Sequence, residues 1–273
     1  MANMNQKYKS EKKGKKRMGP IILGIVATVI LLVTILVVVI ANKNVKAMNH
    51  CIDSVLTELE KNYTVTPCDV GDYKEMKLYG ILKFDVEQYD IQEIGNLSIM
   101  RVNMGVMQMA TVVITPKYKN LPLLSADYMY ILSNRKSYLE FYDVVKQKDE
   151  QYNQLLTALS AVSEQYGHLE NISTSPAWYQ HLLTVTTYKA GKADADKDLE
   201  GLLVDSLRTY LTHSKEFALL SEEEKAEKLA ITLEYTDGLI EKGGISTDVF
   251  KKALGDEATK NFFDKVFFGT AMK

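Results

Sequence analysis

The sequence predicts an α+β protein, a three-layer α/β/α sandwich around an antiparallel sheet, preceded by one N-terminal transmembrane helix. Three observations carry this expectation. An uninterrupted apolar run lies near the start, a block of period-two segments joined by short turns follows it, and the second half is made of segments with helical spacing.

From Ile21 to Ala41 the chain reads IILGIVATVILLVTILVVVIA, without a charge. At about 1.5 Å per residue, a helix of this length crosses the roughly 30 Å hydrocarbon core of a bilayer. Seven positive residues precede the run in KYKSEKKGKKRMG and only Lys43 and Lys46 follow closely. The positive-inside bias therefore places the N-terminus in the cytoplasm and the rest outside. The implied organisation is a basic cytoplasmic tail (1–19), a single membrane span (20–41), a helical stalk (42–62) and a domain (63–273). A cleavable signal peptide is the competing reading, because NVKA offers small or apolar residues at the last and third-last positions before a cut after Ala47. Both readings take the body out of the cytoplasm.

Residues 1–47 hold nine Lys/Arg against Glu11 alone, while the whole chain is −2, so the body is acidic. An acidic body argues against nucleic acid as a partner, since phosphate binding needs a basic footprint. Cys51 and Cys68 follow the span. An oxidising compartment permits a disulfide between them, and two unpaired thiols fit the sequence equally well.

In the stalk, Val45, Met48, Ile52, Val55, Leu56 and Leu59 share one helical stripe that would dock on the domain. Pro67 and Gly71 then break the helix. Five strands are expected: EMKLYGILKFDVEQYD, LSIMRVNM, VMQMATVVIT, LLSADYMYIL and SYLEFYDVV. Their short connections imply antiparallel neighbours. In the third and fourth, both alternating faces are largely apolar, so helices must cover both sides of the sheet. Those helices are expected in VVKQKDEQYNQLLTALSAVSEQY, ADKDLEGLLVDSLRTYLTHSKEFALL, SEEEKAEKLAITLEYTDGLIEK, STDVFKKALG and DEATKNFFDKVFF. Ser221 with Glu224 forms a capping box, and Ser246 or Thr247 is the expected cap of the next helix.

The sharpest candidate for chemistry is Asp127, an acid inside an otherwise oily strand. Counting by two, Leu123, Ser125, Met129 and Ile131 share its face, so desolvation should raise its pKa. A carboxyl kept protonated near neutral pH can donate a proton. The alternative is a structural aspartate that accepts backbone N–H bonds near the strand start. Asp194, Asp196 and Asp198 alternate as in a calcium loop, but Leu199 stands where such a loop needs glycine, and acids in the first turn of a helix explain them better. His50, His168, His181 and His213 show no paired metal spacing and are expected at the surface or in polar contacts. No glycine-rich nucleotide loop and no G-x-S-x-G elbow occurs.

Two segments resemble the ferredoxin-dependent bilin reductases. ATVVITPKYKNLPLLSADYMYI, Ala110 to Ile131, is similar to the family's central hairpin, in which a strand ending near proline leads through Leu-Pro to a small-residue pair and then Asp. EYTDGLIEKGGISTDVFKKALGDEATKNFFDKVFFG, Glu234 to Gly269, is similar to its C-terminal pattern of a tyrosine-bearing helix, a short helix ending in hydrophobic-Gly, and a closing aromatic pair. The resemblance covers roughly residues 73–145 and 234–269.

That kinship implies an α/β/α sandwich binding a linear tetrapyrrole between the sheet and the C-terminal helices. It also implies reduction by single electrons from an external ferredoxin-like donor, with protons from protein groups and no permanently bound cofactor. The key aspartate maps onto Asp127. Its hairpin partner, a histidine or asparagine in the family, falls on Ala110 when carried back without gaps, and the family's Asn-Asp pair falls on Gly243 and Gly244. The family's sheet glutamate has no unambiguous counterpart. A domain outside the membrane has no access to cytoplasmic ferredoxin, so the implied electron donor is unknown. Two expectations follow: a membrane-anchored reductase with Asp127 as proton donor, or a non-catalytic extracytoplasmic module that binds a tetrapyrrole or a protein.

Overall fold

A computed structural model describes residues 2–80 and 82–271, leaving out the side chains of 2–20, 245 and 246. The charged groups of the basic tail and Ser246 as a capping side chain therefore lie outside the described residues.

The first helix, α1 (Ala2–Glu60), is continuous from the apolar run into the folded domain. Met48, Ile52, Val55 and Leu59 on its expected stripe are buried, and Cys51 is buried with them. Cys51 and Cys68 are not bonded to each other.

Among the described residues, a nine-stranded antiparallel sheet follows: β1 (Val65–Pro67), β2 (Glu75–Leu78), β3 (Leu82–Ile91), β4 (Gly95–Asn103), β5 (Met107–Pro116), β6 (Leu123–Ile131), β7 (Asn134–Tyr142), β8 (Glu170–Asn171) and β9 (Leu183–Lys192). The spatial order is β1-β3-β4-β5-β6-β7-β9-β8, with β2 paired to β3.

Three details depart from expectation. The segment expected as one long strand from Glu75 is a hairpin, folded at Tyr79 (φ 53°) and Gly80 (φ 72°). Apolar alternation continues through this turn, so the pattern hid it. β9 was not expected. It pairs with β7 after an intervening helix, α2 (Glu150–Gln165), so strands and helices are not fully segregated along the chain. Finally, the short helix α5 (Ile245–Leu254) begins after Gly244, which places Thr247 inside its first turn rather than at its cap.

The remaining helices are α3 (Asp196–Ser214), α4 (Glu222–Lys242) and α6 (Asp256–Phe262), the last continued by a wider π turn over Phe263–Phe267. The Ser221–Glu224 capping box starts α4 as its sequence implies. Asp149 caps α2 by accepting from the Tyr152 N–H at 2.8 Å.

The sheet is covered on both faces. One core joins α1, α2 and α3 to a sheet face bearing Leu97, Ile99, Ala110, Val112, Ala126, Tyr128 and Leu139. The other joins α4, α5, α6 and the closing phenylalanines to Phe84, Val86, Met100, Val102, Val113, Leu123 and Tyr142. Alternation along each strand sends successive residues to opposite cores. A one-residue slip would exchange the two faces, so register decides which residues can meet in a site.

Candidate functional site

Register brings one polar row together. Thr111 on β5, Asp127 on β6, Tyr138 on β7 and Tyr188 on β9 are successive cross-strand partners. Val113, Ser125, Glu140 and Thr186 form the next row on the same face. This is the face turned toward α4. It is covered unevenly: Val113 and Leu123 are buried, while Met109, Ser125, Asp127, Met129, Tyr138, Glu140 and Tyr188 are only half-buried. On the opposite face of the same strands, Ala110, Ala126, Tyr128 and Leu139 are fully packed. An incompletely roofed stretch of sheet therefore surrounds Asp127.

Thr111 donates its hydroxyl to Asp127 Oδ1 at 2.5 Å. Burial pushes the Asp127 carboxyl up to about 6; the Thr111 hydrogen bond works against that rise and the Glu140 charge adds to it. Near neutral pH such a group can give up a proton and take one back. Glu140 itself accepts two phenolic hydrogen bonds, from Tyr142 at 2.5 Å and from Tyr188 at 2.6 Å.

The wall beside this floor is aromatic. Tyr142 and Tyr235 of α4 lie 4.6 Å apart between ring centroids, and Tyr179 packs 5.9 Å from Tyr142 and edge-on to Tyr235 at 5.8 Å. Burial raises the Tyr179 and Tyr235 pKa values, with further upward pushes from Glu140 and Asp127, so both phenols stay neutral hydrogen-bonding groups. Trp178 packs edge-on to Tyr179 at 5.3 Å and donates its indole N–H to the Gly243 carbonyl at 2.9 Å. Lys242 lies 4.7 Å over the Trp178 ring.

Ala110 is not the partner of Asp127. It pairs with Tyr128 and is buried under the α1 layer, on the opposite side of the sheet. The position facing Asp127 is one residue later, at Thr111, because carrying a distance back along the sequence does not fix which residues cross-pair. Gly243 and Gly244 do fall at the α4–α5 junction. Gly243 has φ +87°, and a side chain there would come within 3.1 Å of the Asp248 carboxylate. That turn is closed by backbone and by Trp178, without an Asn-Asp pair.

Thr111, Glu140, Trp178, Tyr179 and Tyr188 escaped the sequence reading. Parity along SYLEFY was the available signal for Glu140, which lies two residues from Tyr138 and from Tyr142. The other candidates resolve as structure. Asp196 pairs with Arg135 at 2.5 Å and Asp198 contacts His168 at 3.3 Å, both in the first turn of α3. Among the described residues no cluster of His, Cys, Asp or Glu is suited to hold a metal. His50 meets Glu200 at 2.8 Å, and His181 meets the Trp178 carbonyl at 3.2 Å. A shallow polar concavity lined by Glu60, Tyr63, Gln92 and Lys215 lies at the far end of α1 and shares no residue with the site.

No protein-family model matches the chain, and no curated protein matches it in sequence. Solved structures do. Phytochromobilin synthase from tomato in complex with biliverdin superposes with a TM-score of 0.67 over 81% of this chain and 83% of that chain, at 12% identity. The fold resembles that of a bilin reductase. At that identity the likeness is one of architecture: the sandwich and its antiparallel sheet are shared, in agreement with the resemblance carried by the hairpin and the C-terminal helices.

Proposed function

We propose that this chain is a membrane-anchored, bilin-reductase-like protein. In this reading it holds a linear tetrapyrrole on the α4 face of the sheet and protonates it from Asp127 during reduction. The observation that carries this reading is Asp127 itself: a carboxyl with its pKa pushed up to about 6, standing on a half-covered floor walled by aromatic rings. A flat conjugated ligand suits such a wall, which offers ring faces and phenolic donors together. Lys136, exposed on the same face beside Met129, and Lys242 at the rim are the cations placed to meet ligand carboxylates.

Reduction of one double bond takes two electrons and two protons. The electrons come singly from an external one-electron donor on the domain's side of the membrane, which cytoplasmic ferredoxin does not reach, and no bound cofactor is required. Asp127 supplies the two protons in turn, one with each electron, and is reprotonated from solvent through the open side of the floor after each transfer. Thr111 holds the carboxyl in place. Glu140, braced by two tyrosines, stands in the next row of the floor, and its charge adds to the rise that burial gives the Asp127 pKa.

Anchoring is supported by the apolar stretch of α1, which with a mean hydropathy of 3.3 is long and apolar enough to cross a membrane. Asn44 supports an anchor over a signal cut after Ala47. It is 1% exposed, donates to the Leu132 carbonyl at 3.0 Å and accepts from Arg135 at 3.0 Å, so the fold uses a residue that cleavage would remove. The positive-inside bias puts the domain on the extracytoplasmic side.

The glycine pair at 243 and 244 favours a second reading, a binding module that has lost turnover. Titration of the full chain with biliverdin, followed by absorption and by the emission of its single tryptophan, separates the two. Saturable binding followed by bilin consumption under a one-electron donor supports the reductase. Binding without consumption supports a tetrapyrrole-binding module, and absence of binding removes the reductase and leaves only the protein-binding form of the second reading.

A further inference from the structure

We propose that the end of the sheet carrying the β4–β5 and β6–β7 turns is itself a membrane-contacting surface, with Val106 and Leu132 entering the interface of the same bilayer that α1 spans. This rests on the reading of Ile21–Ala41 as a span and is independent of the tetrapyrrole site.

Continuity of the helix is the first support. α1 has no break between the apolar run and the domain, and the first buried residue, Asn44, comes three residues after Ala41. At the helical rise this leaves about 4.5 Å between the end of the span and the docked chain. There is no linker that would hold the domain away from the lipid.

The second support is where the helix docks. Asn44 donates to the Leu132 carbonyl at 3.0 Å, and the Leu132 N–H donates to the Val106 carbonyl at 3.0 Å. The two turns thus lie directly beside the emerging span. Val37, Ile40 and Ala41 are half-buried on the stripe that leads to Asn44, while their neighbours on the other sides are exposed. The end of the domain therefore reaches back along the apolar run to Val37, four residues inside its boundary.

The third support is the chemistry of the turns. Val106 is 50% and Leu132 39% exposed, in a structure that has few large apolar side chains outside the span in such positions. Leu132 also has φ 52°, a conformation that favours glycine or asparagine over a bulky apolar residue. In water the side chain gains nothing at this place; against acyl chains it is in its preferred solvent. Lys43, Lys46 and Lys192, all exposed at this level, are placed to meet lipid phosphates.

The test uses the full chain in phosphatidylcholine–phosphatidylglycerol vesicles whose acyl chains are brominated at known depths. Val106→Trp, Leu132→Trp, Leu31→Trp and Leu219→Trp are each compared with the parent chain, which contains only Trp178. Leu219 is 58% exposed, and the adjacent Leu220 bonds Tyr118 beyond the far end of β5, so it serves as the distal reference. The added emission at 106 and at 132 should fall by roughly half or more, close to the loss at 31, with little change at 219. Each turn reports alone, so one misfolded variant leaves the other informative. Quenching at 31 without quenching at 106 or 132 overturns the proposal while leaving the span intact. Blue-shifted but unquenched emission at the turns also overturns it, because a protein surface and not lipid then covers them. Loss of quenching at 31 removes the span and the proposal together.

Discussion

Thr111 and Asp127 face each other across the β5–β6 pair, joined by a 2.5 Å hydrogen bond from the threonine hydroxyl to Asp127 Oδ1. A donor on the carboxylate favours its charged form, against the burial that favours the neutral one. Thr111→Val keeps the β-branched shape and removes only the donor. The Asp127 pKa should then rise above about 6. A carboxyl-carbon NMR titration of the two proteins checks this, and an unchanged or lower value contradicts it.

The same shift makes stability depend on pH. The folded chain binds the Asp127 proton more tightly than the unfolded chain, whose carboxyl titrates near 3.8. Between that value and about 6 the folded state holds a proton that the unfolded state has released, so stability falls as pH rises through this window. Asp127→Asn is neutral throughout. Relative to the parent it should gain about 1–2 kcal/mol between pH 4 and pH 7, once partial exposure to solvent is allowed for. Thermal unfolding of both proteins across that range gives the difference directly.

Gly238 of α4 has no room for a methyl group, since a Cβ there would stand 2.4 Å from the Trp178 ring. Gly238→Ala should push the indole out of the wall and break its bond to Gly243, at a cost of about 1–3 kcal/mol. Trp178 is the chain's single tryptophan, so its emission should shift to the red and its quenching by added biliverdin should weaken. Unchanged emission would mean that the wall adapts.

Arg135 couples α1, the sheet and α3. It is 4% exposed, pairs with Asp196, bonds Asn44 and lies 4.9 Å from the Tyr130 ring centroid. Arg135→Ala strands Asn44 and Asp196 and should cost about 2–3 kcal/mol, Asp196 being partly solvated. A matching loss in thermal unfolding is expected. Asp196→Asn should cost less, because an amide still accepts a hydrogen bond from Arg135.

What the sequence made legible follows from what periodicity encodes. Two apolar faces in VMQMATVVIT and LLSADYMYIL required helices on both sides of the sheet, and both layers are present. Asp127 stood out because a charge interrupted that pattern. Its partner did not, because pairing depends on the length and shape of the Lys117–Pro122 connection, and Ala110 and Thr111 differ by one residue but face opposite cores. β9 was missed because its alternating segment lies among helices, and its role is defined only by pairing with β7. The aromatic wall draws on Tyr142, Trp178, Tyr179 and Tyr235 from three separate elements, a tertiary fact that no local spacing carries.

The most direct test of the central claim is bilin reduction by the full chain and by its Asp127→Asn variant, under the same one-electron donor, after biliverdin affinity has been measured for both. The predicted result is comparable binding in the two proteins, with turnover in the parent and a loss of at least about 100-fold in the variant, the scale expected for removal of a general acid. Equal reduction rates in the two proteins would contradict the assignment of Asp127 as the proton donor.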